Sequence, residues 1–259
     1  MKEKSPITAK EMWRITLNLT LVCFSAALIL GVVFNLTEPK KRSQIAANEK
    51  TLIQKLLNLD EKAKILEVRR YLGPGQPPTI GYLLSDELRQ YNLDGKFLKK
   101  WDLPEVFQKA PTQERDEWVE KEFPESHFVG RFFAAQNPDG TLTGYVTEGS
   151  QYGFKSLIRF FVALSQNFQI RGVEVISHEE DPGLGDEITK PAFKNQFLGI
   201  RLEDLQTLKL TKGPKPEEVA PEKEKQIYAV TGATISSQAL VDGVKQAVWH
   251  LERRLNVVR

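Results

Sequence analysis

An α+β domain carried behind one N-terminal apolar helix is the fold class that the sequence predicts, and three observations predict it. The first is an uncharged apolar run over residues 15–36. The second is a pair of strand–turn–strand signals between residues 128 and 178. The third is an amphipathic helical pattern over residues 237–255. Hairpins combined with separate helices, rather than a strict strand–helix alternation, are the mark of the α+β class.

The apolar run reads ITLNLTLVCFSAALILGVVFNL, 22 positions without a charge. As a helix it has the length that crosses a hydrocarbon core of roughly 30 Å. Trp13 is placed as an interfacial anchor, and Thr16, Asn18 and Thr20 fall near the end where headgroups tolerate polar groups. A cleaved signal peptide and a buried core helix are the competing readings. No small-x-small site follows the run, which leads into Glu38-Pro39-Lys40-Lys41-Arg42, so a retained anchor is preferred. Cys23 sits between Val22 and Phe24, without the small neighbours of a lipoprotein signal, and reads as an ordinary helix residue. Charge leaves the orientation open, because Lys2, Lys4, Lys10 and Arg14 before the run balance Lys40, Lys41, Arg42 and Lys50 after it.

The spacing therefore predicts a short tail over residues 1–14, a transmembrane helix over 15–36, and a stalk and linker over 37–79. The stalk contains a charged helical stretch, residues 44–66, with Leu52, Leu56, Leu57, Ile65 and Leu66 as its apolar face. It ends in LGPGQPPT, residues 72–79, which is turn chemistry. An α+β domain is expected over residues 80–259.

Within it, residues 128–136 and 144–148 flank the turn Asn137-Pro138-Asp139-Gly140. Residues 160–166 and 169–178 flank Asn167 in the same way, with Phe160 and Phe161 as strand core. Residues 193–198 look helical, residues 208–210 form a strand, and KGPKPEEVAPEKEK (212–225) is a solvated loop. The last helix lines up Leu240, Val241, Val244, Val248 and Leu251 on one face.

Composition excludes several functions. A formal net charge of +2 lacks the concentrated basic field of a nucleic-acid binder. One cysteine removes a disulfide framework and a Cys-rich metal centre. His127, His178 and His250 are not at metal-ligand spacing, so no metal site is predicted. No nucleophile–base pair is visible, so no catalytic residue is assigned. Redox chemistry here would have to come from an organic cofactor.

Near the C-terminus stands AVTGATISS, residues 229–237: a tight turn of small and hydroxyl residues that opens the last helix. A helix N-terminus suits a phosphate, through its unpaired N–H groups and positive dipole end. Gly232 and Ala233 let another surface come close to the backbone. Taken alone, Thr-x-x-Ser before an apolar run is equally an N-cap that binds nothing.

The string TGATISS resembles the flavinylation motif of the FMN-binding domain family, in which the last threonine of S/T-G-A-T forms a phosphoester with FMN; that position is Thr234. Upstream, SHEEDPGLGDEI (residues 177–188) resembles the family loop S-H-x-E-T-P-G-L-G-D-x-I, which approaches the flavin ring. Tyr152-Gly153 through Leu157-Ile158 resembles the segment that starts the domain. Three ordered matches are far more specific than one, and they put the FMN-binding core at about residues 145–255.

The resemblance implies covalent FMN on Thr234, with Thr231, Gly232, Ala233, Ile235 and Ser236 around it. It implies His178, Glu180, Asp181, Pro182, Gly183, Leu184 and Gly185 as the loop against the cofactor. Lys155 or Arg159 could pair with the phosphate, and His178 could donate to the flavin. It also implies a flavin transferase during maturation and partner subunits in a membrane complex. The wording of the motifs is most similar to the G subunit of Rnf-type ion-translocating electron-transport complexes, an electron-carrying redox subunit of the bacterial cytoplasmic membrane with its domain on the extracytoplasmic side. The related C subunit of the sodium-pumping NADH:quinone oxidoreductase is the alternative, as is an assembly protein that kept the fold and lost the flavin. Two departures stand out. Tyr228 replaces the usual acidic residue three positions before the motif, with Glu222 or Glu224 nearby as substitutes. Asp181 replaces the loop threonine, and a carboxylate beside the ring predicts a lowered flavin potential.

Overall fold

A computed structural model describes residues 9–108, 110, 112–213 and 226–258. By internal contacts the chain divides into two units, Met1–Leu52 and Ile53–Arg259.

The first unit is helical. Helix α1, Ala9–Leu57, is 49 residues long and runs through Pro39 without a break. The apolar run and the first part of the predicted stalk are thus one element. The large apolar side chains of residues 15–36 are exposed along this helix, which is long and apolar enough to cross a membrane, with a mean hydropathy of 2.4 over its best window. Several of its hydroxyls are satisfied internally. Thr16 donates to the Met12 carbonyl at 2.9 Å, Ser25 to Leu21 at 2.8 Å and Thr37 to Val33 at 2.8 Å. Internal satisfaction is what a hydrocarbon solvent demands.

The second unit is built on one eight-stranded sheet. Its strands are β1 (Lys64–Gly73), β2 (Thr79–Leu83), β3 (Glu87–Tyr91), β4 (Phe97–Asp102), β5 (His127–Gln136), β6 (Leu142–Tyr152), β7 (Leu157–Ser165) and β8 (Ile170–Ser177). They lie in the order β4-β3-β2-β1-β5-β6-β7-β8, and every pairing is antiparallel.

One expected boundary is corrected here. Residues 64–73, read as stalk and linker, form β1, an interior strand bonded to β2 on one side and β5 on the other. The domain begins at Ile53 rather than at residue 80. Leu57 and Leu56 at the end of α1 pack so tightly on the sheet that a Cβ at Gly144 or Gly172 would meet them at 3.1 and 2.8 Å. The strand was masked by its charges. Arg69 and Arg70 interrupt the apolar alternation, yet Arg69 is only 6% exposed, because Asp116 and Glu67 bind its guanidinium at 2.9 and 3.1 Å.

The stretch between β4 and β5 carries two helices, α2 (Glu105–Gln108) and α3 (Thr112–Glu122). Trp118, Val119 and Phe123 close over Tyr71, Leu83, Leu88 and Leu103 as a small separate core. The main core lies on the opposite face of the sheet, against α6 (Thr234–Val258), and reaches from Tyr82 and Tyr91 to Phe160 and Val173. Leu240, Val241, Val244, Val248 and Leu251 are fully buried there, each contributing about 1.5–3 kcal/mol of apolar burial. The ring of Phe160 lies between sheet and helix. A Cβ at Gly149 or Gly243 would meet it at 2.5 or 2.6 Å, so both glycines are needed for that approach.

Between β8 and α6 the chain makes short pieces: a 3-10 turn (Gly185–Thr189), α4 (Pro191–Lys194), a second 3-10 turn (Asn195–Phe197) and α5 (Leu202–Leu205). The helical look of residues 193–198 holds from Phe193 to Phe197, where α4 passes directly into the second 3-10 turn. A two-stranded parallel ribbon follows, β9 (Lys209–Thr211) with β10 (Gln226–Tyr228). Strand β10 was not anticipated from sequence. Most of the predicted solvated loop, residues 214–225, lies outside the described residues.

Candidate functional site

Three separate stretches meet at one buried carboxylate. They are the turn at residues 153–156 between β6 and β7, the loop at 178–185, and the first turn of α6. Glu180 is 4% exposed. Its carboxylate accepts the backbone N–H groups of Phe154, Lys155 and Ser156, each at 3.0 Å, and the Ser156 hydroxyl at 3.3 Å. The Ser236 hydroxyl, from α6, also donates to it. Burial pushes this carboxyl up, but the bonds from Ser236 and the three amides outweigh it and hold Glu180 below the usual carboxylate range.

Small residues make this convergence possible. A Cβ at Gly153 would meet Glu180 Oε1 at 2.6 Å, and one at Gly185 would meet Glu180 Cβ at 2.7 Å. Gly232 has φ +79°, and a Cβ there would also meet Leu184 at 2.9 Å. Only glycine serves both needs at that turn.

The turn before α6 is held from both sides. The Val230 N–H donates to the Ser237 hydroxyl at 3.0 Å, and the Ala229 N–H donates to the Thr211 carbonyl at 2.9 Å. The side-chain amide of Gln196 grips the main chain of Tyr228, donating to its carbonyl at 3.1 Å and accepting its N–H at 2.8 Å. Tyr228 is thus held by its backbone, whatever side chain it bears. Glu222 and Glu224, the suggested substitutes for the missing acid, lie outside the described residues.

Between the loop and the helix start lies a cleft of about 410 Å³. Thr234, the first residue of α6, lines it together with Gly232, Ala233, Ile235, Ser236, Glu180, Asp181, Leu184 and Gly185. All of these were singled out from sequence. Phe154 also lines it and was missed; its only signal is its place between the glycine and lysine of the first matched segment. Three apolar side chains stand exposed there, Phe154 at 62%, Ile235 at 56% and Leu184 at 46%. They offer a wall to a planar apolar ligand, while the helix start offers amides and a positive dipole end to a phosphate.

Other expected residues fall elsewhere. Thr231, Pro182 and Gly183 are exposed and outside the cleft lining. His178 is turned onto its own loop, where its Nδ1 accepts the Glu180 N–H at 3.2 Å. Neither cation considered for a phosphate stands alone, since Lys155 pairs with Asp181 and Arg159 with Glu148. Among the described residues, no group of three or more His, Cys, Asp or Glu could hold a metal. A larger cleft, about 850 Å³ and lined by Leu202, Lys245 and Trp249 among others, includes none of these residues.

Fold and site together define a class. Residues 153–248 match the FMN-binding domain family, a span that contains the cleft and all three convergent segments. Within that class the resemblance is to G subunits of redox complexes. The chain is 36% identical over 118 residues to the G subunit of the ion-translocating oxidoreductase complex of Methanosarcina acetivorans, covering 45% of this chain and 56% of that protein. It is 25% identical over 238 residues to the G subunit of the proton-translocating ferredoxin:NAD(+) oxidoreductase complex of Clostridium ljungdahlii, covering 92% of this chain and 90% of that protein. The G subunit of the ion-translocating oxidoreductase complex of Aliivibrio fischeri is 34% identical over 100 residues, covering 38% of this chain and 43% of that protein. The first and third of these matches span about half the length of the relative, and the second spans nearly all of it. The crystal structure of Shewanella oneidensis NqrC has the same fold, with a TM-score of 0.50 at 18% identity over 82% of this chain and 97% of that one.

The residues present fit FMN. Thr234 lines the cleft at a helix N-terminus suited to a phosphate, and exposed apolar side chains stand there for the ring.

Proposed function

We propose that this chain is the electron-carrying flavoprotein subunit of an Rnf-type, ion-translocating electron-transport complex, with FMN joined covalently to Thr234. The observation that carries the reading is the position of Thr234 in the cleft, at the start of α6, with Phe154, Leu184 and Ile235 beside it. The likeness to G subunits supports it.

Attachment needs a flavin transferase and FAD. There the Thr234 hydroxyl would take the phosphorus on the FMN side of the diphosphate, with AMP as the leaving group and the hydroxyl proton released. The flavin, once bound, supplies the electron transfer. The chain's part is to tether the phosphate, present Phe154, Leu184 and Ile235 to the ring, and hold the 178–185 loop in place through Glu180. Residues 15–36 contain no ionisable acid or base apart from Cys23, so the ion path belongs to partner subunits. Helix α1 anchors the chain in the bacterial cytoplasmic membrane, with the domain on the extracytoplasmic side.

Co-expression with a flavin transferase, followed by illumination of a denaturing gel, tests the attachment. A fluorescent band that disappears in Thr234→Ala is expected. Absence of the band from the wild type would overturn the reading. It would favour instead a membrane-anchored assembly protein without flavin, for which Tyr228 in place of the usual acid is the specific argument.

A further inference from the structure

Asp181 is the charge that distinguishes this cleft, because the resembling loop has a threonine there. Asp181 lines the same cleft as Thr234. It does not stand alone. The Lys155 ammonium, on the 153–156 turn, is paired with it. The two backbones that carry the pair are anchored by one group. Lys155 donates its N–H to Glu180 at 3.0 Å, and Asp181 follows Glu180 in the chain. The pairing is therefore built into the site's frame rather than left to two free surface side chains.

The side chains are 55% and 33% exposed, and an ion pair in that setting adds little to stability. Its effect on a neighbouring redox group is another matter. A lone carboxylate beside the cleft would oppose an arriving electron, and a lone ammonium would favour it. Side by side, their fields largely cancel. We propose that Lys155 is the counter-charge that prevents Asp181 from lowering the reduction potential of the flavin at this site. The inference rests on the flavin reading above, and it revises the expectation that Asp181 by itself sets a low potential.

The test is a redox titration of the full-length, detergent-solubilised flavoprotein as wild type, Lys155→Met, Asp181→Asn and the double variant. Lys155→Met is expected to lower the midpoint, Asp181→Asn to raise it, and the double variant to return close to wild type. Both single shifts are expected to shrink as ionic strength rises, because exposed charges are screened. An unchanged midpoint in Lys155→Met, or shifts of the same sign in both single variants, overturns the proposal. So does reduced flavin incorporation in Lys155→Met with no change in potential, which would make Lys155 a phosphate partner instead. Wild-type protein without covalent flavin would overturn the flavin reading itself; loaded protein with unmoved midpoints overturns only the counter-charge.

Discussion

The two ends of the sheet bury charge in opposite ways. At the β6–β8 end a lone carboxylate, Glu180, is surrounded by donors, and the amides come from a turn that has no regular secondary structure of its own to satisfy them. On the β1–β4 side a buried guanidinium, Arg69, is surrounded by acceptors. Asp116 on α3, Glu67 on the same strand and the Tyr71 hydroxyl bind it, and Phe128 lies 4.3 Å beneath it. The first arrangement organises loops around a cleft. The second fastens a helix to a strand. Buried charge can therefore serve a site at one end of a sheet and only the scaffold at the other.

Variants at each end should separate these roles. The largest effect is expected from Trp118→Ala, which empties the small core under α3 and costs about 3–5 kcal/mol. Calorimetry should show the loss, while in-gel fluorescence of the surviving protein stays at the wild-type level. Glu180→Ala removes the acceptor of three backbone amides and of the Ser236 hydroxyl, and should cost roughly 2–3 kcal/mol. Here fluorescence should fall together with stability. A Glu180→Ala protein that incorporates flavin normally would erase the contrast between the two ends. Gly232→Ala comes next, at about 1–2 kcal/mol, because its left-handed backbone and the nearby Leu184 both resist a Cβ. Its melting temperature, compared with that of the wild type, measures the cost.

The smallest effect is a pH dependence. Glu180 is held below its ordinary value near 4.5 by burial opposed and outweighed by hydrogen bonds. A lowered folded value means that its contribution is full above the ordinary value and is lost as pH falls through the lower, folded one. The melting temperature of the wild type should therefore drop faster in acid than that of Glu180→Gln, which has no proton to gain. Parallel curves below pH 4.5 would show that another carboxylate governs acid loosening.

Legibility from sequence follows the same division. The cleft was readable because its needs are local: glycines at 153, 183, 185 and 232 in tight turns, hydroxyls at 234 and 236, and an apolar-faced helix behind them. That these segments share Glu180 was not readable, since a glutamate in a loop looks solvated until its donors are seen. The β1–β4 end was hidden for a different reason. Arg69 and Arg70 spoil the alternation of β1, and the partner that makes Arg69 tolerable, Asp116, lies 47 residues away. Strand β10 is three residues long and too short for a periodicity. The pairing of Lys155 with Asp181 spans 26 residues and leaves no local trace.

The grip of Gln196 on Tyr228 has a practical consequence. It touches only main-chain atoms, so these two bonds survive a change of side chain at position 228 to anything but proline. If the proposed flavin transferase reads that position, its recognition can be altered there while the two main-chain bonds are kept. Tyr228→Asp would install the acid usual in the family, and any change in the rate of flavin attachment would report on enzyme–substrate recognition rather than on refolding.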